Sequence, residues 1–179
     1  MFDQALAYLG LQITRLQFRG ETDSIQPLSA FFSGARNVLI TLPVGYEEAM
    51  LAGNALRNSC KSLDHLQLTV INYSTRATAL TDFPRCEVVR IDPADINRFS
   101  LPTKQLLHRI LVREYDLAMD LNLDFVLHTA YICKASRAKV RVGFAHRASD
   151  LFFNVQFNLG KEDLPQARYE KFTSYLRMF

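Results

Sequence analysis

The residues best equipped for chemistry are two adjacent carboxylates, Glu47 and Glu48, placed just after Gly45 in the stretch Pro-Val-Gly-Tyr-Glu-Glu. A carboxylate held at the mouth of a fold can act as a general base. Acidic residues also open many helices, because the positive end of the helix dipole favours them. Both roles stay open here. The stretch lacks the G-x-G-x-x-G spacing that brings a backbone up to a pyrophosphate. It also lacks the G-x-x-x-x-G-K-[ST] of a phosphate-binding loop, and two carboxylates would repel a phosphate at that helix start. No dinucleotide, ATP or other cofactor is therefore expected.

Asp120 lies inside an apolar run, and Asn122 follows at its end. A buried carboxylate must be paired or hydrogen-bonded, so Asp120 either ties down neighbouring N–H groups or serves as an acid–base group. From Lys134 to Arg147 the chain carries Lys134, Arg137, Lys139, Arg141, His146 and Arg147, with no acid before Asp150. Such a run either solvates a helix end and a strand edge or receives an anionic group. It lacks the interleaved stacking aromatics of single-stranded nucleic-acid readers, and no nucleic-acid partner is expected. His65, His108, His128 and His146 are scattered, and none has a Ser or Cys partner in a nucleophile motif. Cys60, Cys86 and Cys133 form no C-x-x-C pair; they read as reduced thiols rather than metal ligands.

These groups need elements to position them, and the hydrophobic pattern supplies an alternation. Phe2, Leu6, Leu9, Ile13 and Leu16 recur at spacings of four and three, which is one helical face. Residues 21–36 form a connector containing Phe31 and Phe32. From there, strands are expected at 37–44, 66–72, 87–91, 116–121 and 139–144, and helices at 47–63, 75–81, 103–114 and 125–134. Strand–helix alternation builds right-handed crossovers and a parallel sheet covered on both faces, in the Rossmann-like order 3-2-1-4-5. Residues 152–158 alternate as an edge strand. The last helix, 163–179, would be capped by Asp163, with Gln166 in the spacing of a capping box. One α/β domain spans 1–179: an N-terminal helix and connector over 1–36, a core of five to six strands over 37–158, and a C-terminal helix over 159–179. In open sheets of this kind ligands bind beyond the carboxyl ends of the strands. That rule names Gly45, Tyr46, Glu47 and Glu48 after the first strand, Tyr73, Ser74 and Arg76 after the second, Asp92 after the third, Asn122, Asp124 and His128 after the fourth, and His146 and Arg147 after the fifth.

Composition agrees with a single globular domain. The chain has 179 residues, 49% hydrophobic and 22% charged, with a net charge of only +3. It shows no basic leader followed by an apolar run and no membrane-length apolar stretch, so the expected compartment is the cytoplasm. The apolar stripes on the first and last helices lead to the expectation of a homodimer.

Three stretches, in order, carry a family resemblance: NVLITLPVGYEEAMLAGNALRNS, REYDLAMDLN and SRAKVRVGF. Together they resemble the N-terminal, acceptor-side half of the heptosyltransferase family, glycosyltransferase family 9, which has the GT-B fold. More closely, the layout resembles short bacterial proteins of the same half length, a likeness that implies a fold and no particular activity. In the heptosyltransferases the first loop carries a Gly-Asp pair whose Asp is the catalytic base. Here Gly45 is followed by Tyr46, and Glu48 falls opposite that Asp when the helices are aligned. The resemblance also implies a second Rossmann domain for the nucleotide-sugar donor, which these 179 residues do not contain.

The leading expectation is a module that is non-catalytic alone and binds a partner protein or a small anionic or sugar ligand. In the competing reading it is a glycosyltransferase-like enzyme of cell-envelope synthesis whose donor domain comes from another chain. Glu48 would then be the base, and Arg141 or Arg147 would hold an anionic group. A hydrolase built on Glu47, Glu48 and Asp120 is a third option, with no nucleophile to support it.

Overall fold

The computed structural model describes residues 2–21, 34–59, 66–73, 85–160 and 163–176. Among these, six strands form one sheet: β1 (Asn37–Thr41), β2 (Gln67–Asn72), β3 (Cys86–Arg90), β4 (Leu117–Asp120), β5 (Val140–Phe144) and β6 (Val155–Phe157). Their order is β3-β2-β1-β4-β5-β6, with every pair parallel. The expected order 3-2-1-4-5 is thus observed, and the edge segment adds a sixth parallel strand beside β5. The helices are α1 (Phe2–Gln17), α2 (Tyr46–Ser59), α3 (Lys104–Ile110), α4 (Leu127–Ala135) and α5 (Pro165–Leu176). The expected helix at 75–81 and the connector's Phe31 and Phe32 lie outside the described residues.

The inner strands β1, β2, β4 and β5 are buried apolar runs because both faces are covered, whereas edge strand β3 leaves Glu87, Val88 and Arg90 exposed. On one face Val38, Ile40, Val70, Met119 and Val142 pack with Ala52 and Leu56 of α2 and with Tyr169 and Phe172 of α5. On the other, Leu39, Ile71 and Ala118 pack with Leu106 and Ile110 of α3 and with Ala130 and Tyr131 of α4. A fully buried side chain of this size contributes about 1.5–3 kcal/mol. An aromatic group locks the last helix in place: the Phe144 and Phe172 rings lie 5.4 Å apart and those of Phe157 and Phe172 5.0 Å apart, both edge to face. Of the apolar stripe expected on this helix, Tyr169 and Phe172 pack on the sheet with Leu176 beside them, and Phe179 lies outside the described residues.

Two helix details differ from the sequence reading. The last helix begins at Pro165, not Asp163. Proline fits a first helical position because its missing N–H would have no partner there. Gln166 turns forward to donate to Glu170 at 2.9 Å instead of reaching back as a capping box requires. In α1, the helix exists as expected, but its inward side is Gly10, Leu11, Thr14 and Phe18. Gly10 presses on the Phe99 carbonyl so closely that a Cβ could not fit. Phe18 packs its ring 5.3 Å from that of Tyr131. Leu9, Ile13 and Leu16 stay exposed at 49%, 42% and 70%.

Candidate functional site

The carboxyl ends of β1 and β4 meet at Asp120. This carboxylate is 4% exposed and accepts four hydrogen bonds. Thr41 Oγ1 donates to Oδ1 at 3.0 Å; the Asn122 backbone N–H and Nδ2 donate to the same oxygen at 3.1 and 2.7 Å; Thr129 Oγ1 donates to Oδ2 at 2.7 Å. Burial pushes the Asp120 carboxyl above its ordinary range, against the pull of those donors. Asn122 extends the tie outward: its Oδ1 accepts from the Val44 N–H at 3.0 Å, holding the first loop against the end of β4.

A second set of bonds fixes the loops beside it. His146, just past β5, places Nε2 2.8 Å from the Leu123 carbonyl. Ser149 Oγ accepts from the His146 N–H at 3.1 Å and donates to the Phe144 carbonyl at 2.8 Å. Tyr169 of α5 donates to the Leu121 carbonyl at 2.9 Å, and burial, with the Glu48 charge nearby, raises its phenol. Loops after β1, β4 and β5 are thus pinned to one another by side chains that point inward.

What these ties display to solvent is a short list of groups. Gly45, Tyr46 and Glu47 are exposed, Glu48 is half-buried, and Asp124 and Arg147 are exposed. Glu47 and Glu48 sit in the first turn of α2, where the helix dipole favours them. Asn122 and His146 are at the rim as the sequence suggested, but their polar atoms are used for positioning. Arg141 is placed elsewhere. It is 4% exposed, with Nε donating to the Phe152 carbonyl and Nη1 to the Ala138 carbonyl, each at 2.8 Å. The basic run from Lys134 to Arg147 therefore diverges: Lys134 turns toward Glu21 (3.6 Å) and the Phe18 ring, Arg141 into backbone carbonyls, and Arg147 into solvent.

One pairing joins two residues that the strand-end rule names without linking them. Tyr73, just past β2, and His128, in the first turn of α4, bring their rings to 5.5 Å edge to face. The Tyr73 hydroxyl and His128 Nε2 are buried with no hydrogen-bond partner. Burial raises the Tyr73 phenol and lowers His128 to about 4, so both are neutral near pH 7. Away from the rim, an open groove of about 540 Å³ runs between α2 and α5, lined by Asn54, Asn58, Gln166 and Glu170 among others. Among the described residues no group of three His, Cys, Asp or Glu side chains could hold a metal ion. No helix among them is long and apolar enough to cross a membrane.

A six-stranded parallel sheet in this order, with helices on both faces, defines a Rossmann-like α/β domain. Solved structures place that domain in a glycosyltransferase-like fold. The structure of E. coli heptosyltransferase WaaC with ADP is similar with a TM-score of 0.57 and 15% identity, over 78% of this chain and 46% of that one. A glycosyl transferase family 9 structure from Veillonella parvula DSM 2008 gives 0.59 and 14% identity over 79% and 41%. WaaC with ADP-2-deoxy-2-fluoro heptose gives 0.56 and 14% over 80% and 49%. The chain therefore spans less than half the length of these structures, and at such identities the likeness is one of fold. No protein-family model matches the sequence, and no curated protein matches it.

Proposed function

We propose that this chain is a binding module that does no chemistry alone and takes a small acidic sugar, or a partner presenting similar groups, on the rim over β1, β4 and β5. The supporting observation is the division of labour at that rim. Asp120, Asn122 and His146 spend their polar atoms on holding three loops together, which leaves Glu47, Glu48 and Arg147 outward. Carboxylates accept hydrogen bonds from hydroxyl groups, and a guanidinium holds an acid group. A hydroxylated ligand bearing one carboxylate or phosphate matches that set better than a bare phosphate, which two glutamates would repel. The module is read as a cytoplasmic, single-domain protein without a nucleic-acid partner, in accord with its net charge of +3, and as a homodimer.

Amide-shift mapping by NMR with a hexuronic acid as probe tests this. Shifts confined to Val44–Glu48, Asn122–Asp124 and Arg147, lost in Arg147→Ala, are expected. Shifts confined to the α2–α5 groove would refute the assignment.

The glycosyltransferase-like fold, present over under half the length of its relatives, supports a second reading. In it the chain supplies the acceptor side of an enzyme completed by a separate donor domain, and half-buried Glu48 is the base. Sugar transfer on adding such a domain, abolished by Glu48→Gln, would favour this reading over the first.

A further inference from the structure

We infer that the open groove between α2 and α5 binds an alkylammonium group, a primary amine carried on an apolar stem. This goes beyond the rim reading and does not depend on it.

The two helices pack side by side over one face of the sheet, and each turns a stripe toward the groove. On α2, Leu51 and Ala55 lie four residues apart and so share a side. Both are half-buried against the core and form an apolar floor. Asn54 stands exposed beside them, its carboxamide without a hydrogen-bond partner among the described residues. On α5, Gln166, Glu170, Thr173 and Ser174 follow one another at steps of four, three and one, again a single side.

What α5 offers a ligand is set by where its protons go. Gln166 Nε2 donates to Glu170 Oε1 at 2.9 Å. Thr173 Oγ1 donates to the Glu170 carbonyl at 3.0 Å, and Ser174 Oγ to the Lys171 carbonyl at 2.7 Å. Both hydroxyl protons are thus spent on the helix's own backbone, which leaves oxygen lone pairs as acceptors. The Gln166 side-chain carbonyl and the second Glu170 oxygen add two more. The wall is therefore rich in acceptors and carries one negative charge. Among the described residues no Lys, Arg or His lines the groove; Arg57 and Lys171 belong to these helices but not to its walls.

Such a wall complements a donor-rich cation and repels a carboxylate or a phosphate. The form of the cation follows from Glu170. Gln166 already holds one of its oxygens, so a single oxygen is uncommitted. A guanidinium is matched to both oxygens of a carboxylate at once. An ammonium is a compact charge with three rotatable donors, suited to one carboxylate oxygen and the hydroxyl and amide oxygens around it. The floor of Leu51 and Ala55 takes the methylenes of the stem, as apolar surface does for lysine side chains. The volume of about 540 Å³ lies within the range of small-molecule sites.

Amide-shift titration of the full chain with pentylamine is the test, run against sodium chloride at matched ionic strength. Saturable shifts over residues 51–58 and 166–174 are expected, with a Kd of about a millimolar because an exposed ion pair adds little by itself. Pentylguanidine should bind more weakly and pentanoate not at all, although all three share one stem. Glu170→Gln keeps an oxygen for Gln166, so it should leave the melting curve unchanged while weakening pentylamine about fivefold. Asn54→Lys sets a tethered ammonium over the floor and should compete to a similar extent. N-acetyl-lysine methylamide distinguishes the source: affinity equal to that of pentylamine supports a lysine side chain of a partner, and affinity for pentylamine alone supports a free amine. Shifts that salt reproduces, binding of pentanoate or pentylguanidine as tight as that of pentylamine, or binding unaltered in both variants would each overturn the inference. The rim reading is tested with an acidic sugar, so the two proposals fail separately.

Discussion

Replacing Asp120 tests the tie that holds the rim together. Asp120→Ala removes the acceptor of four hydrogen bonds in a site that is 4% exposed. Thr129 can fall back on the Val126 carbonyl, 3.0 Å away, and Thr41 on the Met119 carbonyl at a long 3.5 Å. The Asn122 backbone N–H loses its partner outright, and its Nδ2 keeps only a 3.3 Å contact with Thr129. Each buried donor left unpartnered costs about 1–3 kcal/mol, so the total comes to about 3–5 kcal/mol. That is a large part of a typical stability of about 5–15 kcal/mol. Asp120→Asn keeps an oxygen for Asn122 and can donate to Thr129 once that hydroxyl turns to Val126, so it should cost only about 1 kcal/mol. Urea denaturation read as the midpoint at constant slope measures both. The pH dependence adds a signed check. Burial holds the folded Asp120 carboxyl above 3.8, so the stability contributed by its protonated form is complete below 3.8 and is lost as pH rises through the folded value. Wild type should therefore lose stability relative to Asp120→Asn as pH rises from 3.8. A cost below about 1 kcal/mol for Asp120→Ala, or equal costs for Ala and Asn, would refute the reasoning.

The other expectations concern the packed interior. His128 is lowered from 6.5 to about 4 by burial, so stability should fall by up to about 3 kcal/mol as pH drops through that interval. His128→Leu should flatten this fall, as thermal melts at several pH values would show. Tyr73→Phe removes a buried, unpartnered hydroxyl and should be neutral or stabilising by about 1 kcal/mol in chemical denaturation; a loss of that size would show that the hydroxyl has a bound partner. Gly143→Ala should cost about 1–3 kcal/mol, since a Cβ there would stand 2.6 Å from the Phe153 ring.

The fold was legible because the inner strands are short apolar runs between turn residues, and strand–helix alternation permits few topologies. β6 was readable as an edge strand from its alternation, and it pairs in parallel with β5. The orientation of α1 was not legible. Its spacing marks an apolar face without saying what covers that face, and the side that docks carries Gly10 and Thr14, whose small size leaves no hydrophobic signal. At the site, the switch-point rule placed Gly45, Glu47, Glu48 and Asn122 near one another but could not tell a displayed polar group from an engaged one. Asn122 and His146 bond inward to backbone atoms 78 and 23 residues away, and Arg141 turns inward onto carbonyls 3 and 11 residues away. The Tyr73–His128 contact joins the ends of two elements, and no local pattern records such a meeting.

Calorimetric titration of the chain with UDP-, GDP- and ADP-sugars tests the central claim most directly. A binding module with two glutamates in its first helical turn and no nucleotide loop should bind none of them. Micromolar affinity for any one, weakened by substitutions at Glu48 or Arg147, would contradict the account and show that the rim serves a nucleotide-sugar after all.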